Sequence, residues 1–125
     1  MGQKLDLLLK GGHVIDPAND LDGKYDVGIK HGRIARVDSF IDGTEADKSI
    51  DVENLVVAPG LIDMHVHAYH TRIQKEGNTV GSLNADAHFL KEGVTTCVDT
   101  GTAGADEMDH FRTTVINKSK TRVLA

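Results

Sequence analysis

The sequence predicts an α/β fold in two parts: a small antiparallel β region over residues 1–58, then a parallel strand–helix region over residues 59–125. Three observations carry that expectation. Before Pro59-Gly60 the chain reads as short apolar strands broken by turn residues. After Gly60 strands alternate with helical segments, the pattern of a parallel sheet. The strand that opens the second part ends in His65-Val66-His67, two histidines with the period of a strand.

Each element follows from local chemistry. Leu5 to Lys10 reads as a strand, Gly11-Gly12 as a bulge or turn, and His13 to Ile15 as the continuation. Tyr25 to Lys30 and Arg33 to Phe40 flank His31-Gly32 and read as a hairpin. Ser49 to Val52 and Leu55 to Ala58 flank Glu53-Asn54 and read as a second hairpin. Leu61 to His67 is an apolar strand, and residues 68–82 form a long polar connection. Leu83 to Glu92 reads as a helix stopped by Gly93. Val94 to Asp99 is a β-branched strand, followed by the glycine-containing loop Thr100 to Ala105. Asp106 to Asn117 reads as a helix with acidic residues in its first turn and Met108, Phe111, Val115 and Ile116 on one face. Arg122 to Ala125 opens a third strand.

Composition bounds the function classes. Fourteen basic against 19 acidic residues give a formal charge of −5, and no basic run interrupts it, so a nucleic-acid partner is not expected. No segment reaches transmembrane length and the amino terminus lacks an apolar leader, so no membrane partner is expected either. The single cysteine excludes an internal disulfide and fits a reducing compartment, so the expected location is cytoplasmic.

His65 and His67 are the most informative pair. Side chains at i and i+2 of a strand project to the same side, so two imidazoles on one rigid strand form half of a metal site. The bland alternative is a pair of satisfied core histidines. In a parallel sheet, ligand loops lie at the carboxyl ends of the strands, which is where this pair sits.

The run Val57-Ala58-Pro59-Gly60-Leu61-Ile62-Asp63-Met64-His65-Val66-His67 resembles the signature that opens the barrel in the amidohydrolase superfamily. Residues 6–17 and 26–34 resemble the start of the same enzymes, and Glu92 to Asp99 resembles their second barrel strand. The resemblance implies the first two to three strand–helix units of a (β/α)8 TIM-type barrel, preceded by part of a composite β-sandwich. A complete barrel takes about 250 residues, whereas this chain has 125. The expectation is therefore an amino-terminal portion of a larger enzyme.

The resemblance also implies chemistry. It makes His65 and His67 metal ligands for one or two divalent ions, Zn2+ foremost, with the remaining ligands and the proton shuttle on later strands. No catalytic or other cofactor-binding residue is assigned within the chain. The implied reaction is attack of a metal-activated hydroxide on a small-molecule amide, cyclic amide or ester, by a deacetylase or dihydroorotase-like enzyme, for which a homo-oligomer is an open expectation. The 125-residue chain alone is expected to be inactive. The alternative is a non-catalytic fragment or an assembly-type relative without a complete metal site. Dihydroorotases carry an arginine two residues after the second histidine to clamp the substrate carboxylate, and here that position is Tyr69. The H-x-H-x-Y pattern and the loop Asp99-Thr100-Gly101-Thr102-Ala103-Gly104 look more like dihydroorotase-like deacetylases. His70 is a loop histidine within reach of the pair, and Cys97 a small buried side chain. Asp99 and Thr100 are candidates for contacts behind the metal or with substrate. His13, His31, His88 and His110 have no convergent spacing and read as structural or surface groups.

Overall fold

The computed structural model describes residues 4–71 and 81–125, which divide into two compact units, Met1–Pro59 and Gly60–Ala125. The first is built on β1 (Leu7–Asp16), which runs antiparallel to β2 (Leu21–Lys30); β2 in turn pairs antiparallel with β3 (Arg33–Asp38). The β2–β3 turn lies at His31-Gly32, as expected, with both residues at positive φ (50° and 70°), the geometry of a two-residue hairpin. The backbone N–H of His31 is held by Asp6 Oδ2 at 2.6 Å.

The second expected hairpin does not form. β4 (Ser49–Asp51) and β5 (Val56–Val57) do not pair with each other; both lie parallel to β1, against residues 8–10 and 13–14 respectively. Glu53-Asn54 makes a tight turn, closed by the Leu55 N–H on the Val52 carbonyl at 3.0 Å, and the chain then resumes its direction. Asn54 takes a positive φ of 65°, and Asp51 Oδ1 accepts from the N–H of Glu53 at 2.9 Å. The register of β1 against β2 also shifts between Leu9 and Gly12, and the sheet is mixed, with β2 antiparallel and β4 and β5 parallel to β1. Gly12 permits the close approach of β5, since a Cβ there would fall 2.7 Å from Val57 Cγ2.

Asp26, on β2, is the polar centre of this unit. It is buried and accepts from Lys10 Nζ at 2.9 Å, the N–H of Gly11 at 2.7 Å and the N–H of Ile41 at 2.8 Å. Burial alone would raise its pKa, but the Ile41 N–H, the Lys10 ammonium and the Gly11 N–H together hold it below the ordinary carboxylate value. A small apolar cluster of Leu5, Leu8, Ile41 and Ala46 packs nearby.

The second unit holds a three-stranded parallel sheet in the order β6 (Leu61–Val66), β7 (Val94–Asp99), β8 (Arg122–Leu124). Both expected helices form, in shortened or mixed geometry. α1 (Ala85–His88) is capped by the Asn84 side chain, which accepts from the N–H of Ala87 at 3.1 Å. A 3-10 turn over Leu90–Glu92 follows and ends at Gly93 with φ 78°. The second helical segment begins as a 3-10 turn (Ala105–Glu107), continues as α2 (Met108–Phe111), and widens to a π-helix over Arg112–Ile116. Its apolar face supplies Phe111 and Val115 to a core with Val66, Ala68, Tyr69, Ala85, Cys97 and Val123, and Met108 and Ile116 pack against that core. Asp86 joins α1 to the approach of β8, accepting from the N–H groups of Lys120 and Thr121 at 2.9 and 2.8 Å. Among the described residues no helix is long and apolar enough to cross a membrane.

Candidate metal centre

β6 is brought to β7 by a close approach at its start. Leu61 pairs with Val94, and a Cβ on Gly60 would overlap the Thr95 side chain, so only glycine lets the chain enter the sheet here. Pairing with β7 is regular at Ile62 and Asp63, then shifts register before Val66. In that irregular stretch the Asp63 carboxylate takes over a backbone donor: its Oδ1 accepts from the N–H of His65 at 3.0 Å.

The rings of His65 and His67 approach to 5.8 Å between centroids with their planes at 88°. That proximity is what side chains two apart on an extended strand produce. His65 is exposed and His67 half-buried. Nδ1 of His67 lies 2.8 Å from Thr102 Oγ1, which leaves Nε2 as its open nitrogen. The backbone around His67 is held as well, its carbonyl accepting from the N–H of Leu83 at 2.9 Å.

Behind the pair, one carboxylate ties the ends of β6 and β7 together. Asp99, buried at the end of β7, accepts through Oδ2 from the N–H of Ala68 at 2.7 Å and through Oδ1 from the N–H of Thr102 at 2.8 Å. The N–H of Thr100 donates to the Val66 carbonyl at 3.1 Å. The loop after each strand is thereby fixed to the same group, and Thr102 is carried to His67.

The other candidates separate. Tyr69 is 2% exposed; its hydroxyl lies 2.6 Å from His110 Nδ1 and its ring 4.6 Å from that of Phe111. Its body is core against α2. His70 is exposed, with Nδ1 3.2 Å from the Ala68 carbonyl, to which it donates, and Nε2 3.4 Å from Asn84 Nδ2. Both of its nitrogens are engaged locally. Among the described residues no three His, Cys, Asp or Glu side chains converge as a metal-binding group, so His70 does not join the pair. Cys97 is fully buried, and burial first, then the nearby Asp63, Asp99 and Asp86 carboxylates, pushes its thiol pKa up, the opposite of a ligand or nucleophile. His13 pairs with Asp22 at 2.6 Å on the surface, and His88 is exposed on α1.

Two partners of the site, Asp63 and Thr102, and one partner of Tyr69, His110, were not singled out by the sequence pattern. Asp63 carried a signal, a carboxylate inside an otherwise apolar strand two residues before His65. Thr102 lay in the loop that carries the deacetylase-like resemblance, but nothing in the sequence marked its contact with His67, 35 residues away, or that of His110 with Tyr69, 41 residues away.

The donor set suits a divalent metal. Two imidazoles, one with its Nδ1 satisfied and its Nε2 open, are the nitrogen ligands that zinc and similar borderline ions take.

Comparison with known proteins gives the class. The model of the amidohydrolase family matches residues 56–120, more than half of the chain, and the protein belongs to that family. A dihydroorotase from Citrifermentans bemidjiense is 35% identical over 121 residues, 96% of this chain and 28% of the relative. The crystal structure of an adenine deaminase superposes with a TM-score of 0.75 at 30% identity, covering 96% of this chain and 29% of that one. An N-acyl-D-glutamate deacylase from Bordetella bronchiseptica, complexed with zinc and a phosphonate inhibitor, superposes with a TM-score of 0.58 at 30% identity over 77% of this chain and 18% of that one. The two units accordingly have the architecture found in amidohydrolase TIM-barrel proteins. The chain spans little more than a quarter of the length of the dihydroorotase it matches.

Proposed function

We propose that this chain carries the opening part of the metal site of a hydrolase acting on the carbon–nitrogen bond of a small amide or cyclic amide, or on an ester, with His65 and His67 as ligands. The observation that supports it best is the pair itself: two imidazoles at the carboxyl end of a parallel strand, one with Nδ1 already engaged and Nε2 open. Family membership supplies the reaction class.

In this reading the ion is Zn2+ or a similar divalent metal, and further ligands come from strands other than β6 and β7. A bound metal supplies Lewis acidity, activating water and polarising the scissile carbonyl. The chain's own residues do the positioning. Asp63 holds the backbone of His65, Thr102 holds the ring of His67, and Asp99 locks the two loops that meet behind them.

The substrate reading leans to the deacetylase-like side. Tyr69 stands where a dihydroorotase clamps a carboxylate with arginine, and it is buried against Phe111 with its hydroxyl on His110. A neutral phenol in that position offers neither the charge nor the fork for a carboxylate. The proposal places the enzyme in the cytoplasm.

The test is substitution of each histidine in the full-length protein. His65→Ala and His67→Ala are each expected to lower bound metal by at least about tenfold and abolish turnover of N-acetylated amino compounds and cyclic amides. Metal content by elemental analysis is measured beside activity. Unchanged metal content in both variants would remove the assignment, and turnover of dihydroorotate with Tyr69 intact would overturn the substrate reading.

A further inference from the structure

We propose that residue 69 is withdrawn from the substrate by a latch on the second helical segment, with His110 and Thr114 as the positioning residues that hold it. The proposal deepens the substrate reading above and rests on the metal site assigned there. Position 69 follows the second histidine by two, so its side chain can either reach toward a substrate or turn back into the core. Tyr69 turns back. It is the central residue of a three-residue turn closed by the His70 N–H on the Ala68 carbonyl at 2.8 Å, and the N–H of Ala68 is itself held by Asp99 at 2.7 Å. The backbone direction at Tyr69 is therefore set from both sides. Its ring packs on Phe111 and its hydroxyl meets His110 Nδ1 at 2.6 Å, so that the whole residue is buried.

The helical segment is irregular where this loop docks. Over Arg112–Ile116 it has π geometry, with the N–H of Asn117 donating to the Arg112 carbonyl at 2.9 Å. Such widenings recur at functional positions. The carbonyls just before it take side-chain donors: Thr113 Oγ1 donates to the Asp109 carbonyl at 2.9 Å and Thr114 Oγ1 to the His110 carbonyl at 2.7 Å. A hydroxyl has one hydrogen and a carbonyl can only accept, so the Thr114 hydrogen is committed to His110. The 2.6 Å contact between Thr71 Oγ1 and Thr114 Oγ1 then has one direction, with Thr71 donating. The Tyr69–His110 contact is satisfied whichever of its two atoms carries the hydrogen. Residues 69 and 71 of the loop thus dock on one stretch of helix, through His110 and Thr114. An arginine at 69 would bring its guanidinium against Phe111 in the core, where a charge is costly. A substrate carboxylate finds no clamp at this loop, and the fitting substrate is an acyl compound that presents none to it.

The experiment combines kinetics and hydrogen exchange on the full-length protein. Tyr69→Phe keeps the ring and should leave kcat and KM for N-acetylated amino compounds within about threefold, whereas loss of a substrate contact would raise KM about tenfold or more. Tyr69→Arg should gain no turnover of dihydroorotate; the phenylalanine variant keeps the test standing should the arginine variant not fold. Exchange of the His70 amide, bonded to the Ala68 carbonyl, reads the latch. It should quicken about tenfold or more in His110→Ala and in Thr114→Val while the amides of β7 stay unchanged, and Thr114→Ser should restore protection. A rise in KM of that size in Tyr69→Phe, dihydroorotate turnover by Tyr69→Arg, or unaltered His70 exchange in both latch variants overturns the proposal. Metal content that survives both His65→Ala and His67→Ala overturns the metal reading instead, and the exchange measurement, which needs no metal, still decides the latch.

Discussion

β1 and β6 are both strands rich in leucine and isoleucine, and they meet very different surroundings. β1 has β2 on one side and β4 and β5 on the other, and it fully buries Leu8 and nearly buries Val14. Among the described residues β6 has only β7, and it leaves Leu61, Ile62 and Met64 exposed, Ile62 at 65% and Met64 at 76%. The strand that carries the candidate ligands is thus the less covered of the two. At its carboxyl end Val66 and Ala68 join the core, and Asp63, Asp99 and Thr102 add directed hydrogen bonds around the exposed His65. Position can be fixed without full burial, provided the backbone donors have partners.

The largest effect expected from this contrast is in association. A few hundred Å² of uncovered apolar surface is worth several kcal/mol at about 25 cal/mol per Å², against a net domain stability of about 5–15 kcal/mol. The 125-residue chain is expected to form species larger than a monomer, with an unfolding midpoint that rises with concentration. Sedimentation and thermal unfolding across a hundredfold concentration range test this. A monomer with a concentration-independent transition would show that β6 needs no cover. Hydrogen exchange sharpens the contrast: amides of β1 are expected to exchange more slowly than those of β6, and the reverse order would break it.

Next in size is Asp99→Ala. It strands the buried N–H groups of Ala68 and Thr102, at about 1–3 kcal/mol each, so a loss of about 3 kcal/mol or more is expected in urea unfolding. The counterpart in the first unit, Asp26→Ala, strands the N–H groups of Gly11 and Ile41 but leaves Lys10 satisfied, since it is partly exposed and keeps the Ile41 carbonyl at 2.6 Å. A smaller loss, about 2–3 kcal/mol, is expected there. Equal losses would mean that the covered sheet depends on its buried carboxylate as much as the uncovered one does.

Acid should then act on both units. Burial would raise the pKa of Asp26 and of Asp86, but the N–H groups they accept from, with Lys10 beside Asp26, hold both below the unfolded value of 3.8. A carboxylate with a depressed folded pKa contributes stability that is fully present above its unfolded pKa and is lost as pH falls through the folded one. Stability is therefore expected to drop below about pH 4, and Asp26→Asn should flatten that slope. An unchanged slope in urea titrations at pH 3 and pH 5 would remove Asp26 from the account.

The smallest effect expected is that of Tyr69→Phe. It keeps the ring on Phe111 and removes the hydroxyl from His110, for a loss of about 1 kcal/mol. Thermal unfolding of the variant checks it, and no change would mean the hydroxyl contributes little to anchoring the loop after β6.

The sequence by itself determined the division near Pro59-Gly60, the hairpin at His31-Gly32, the helix stop at Gly93, and the placing of two histidines at a strand end. Each of these is a local matter: a glycine needed for positive φ, a change of hydrophobic period, a spacing of two. Tertiary structure alone decided the rest. Glu53-Asn54 carries turn residues that suit a reversal, and a turn does form there, yet Val56 and Val57 find their partners on β1 beside His13 and Val14. Thr102 meets His67, His110 meets Tyr69, and Asp99 meets Ala68 across gaps of 35, 41 and 31 residues, and no local pattern encodes such meetings. They arise because a parallel sheet sets the carboxyl ends of β6 and β7 side by side, with helical turns packed behind, so that groups remote along the chain become neighbours.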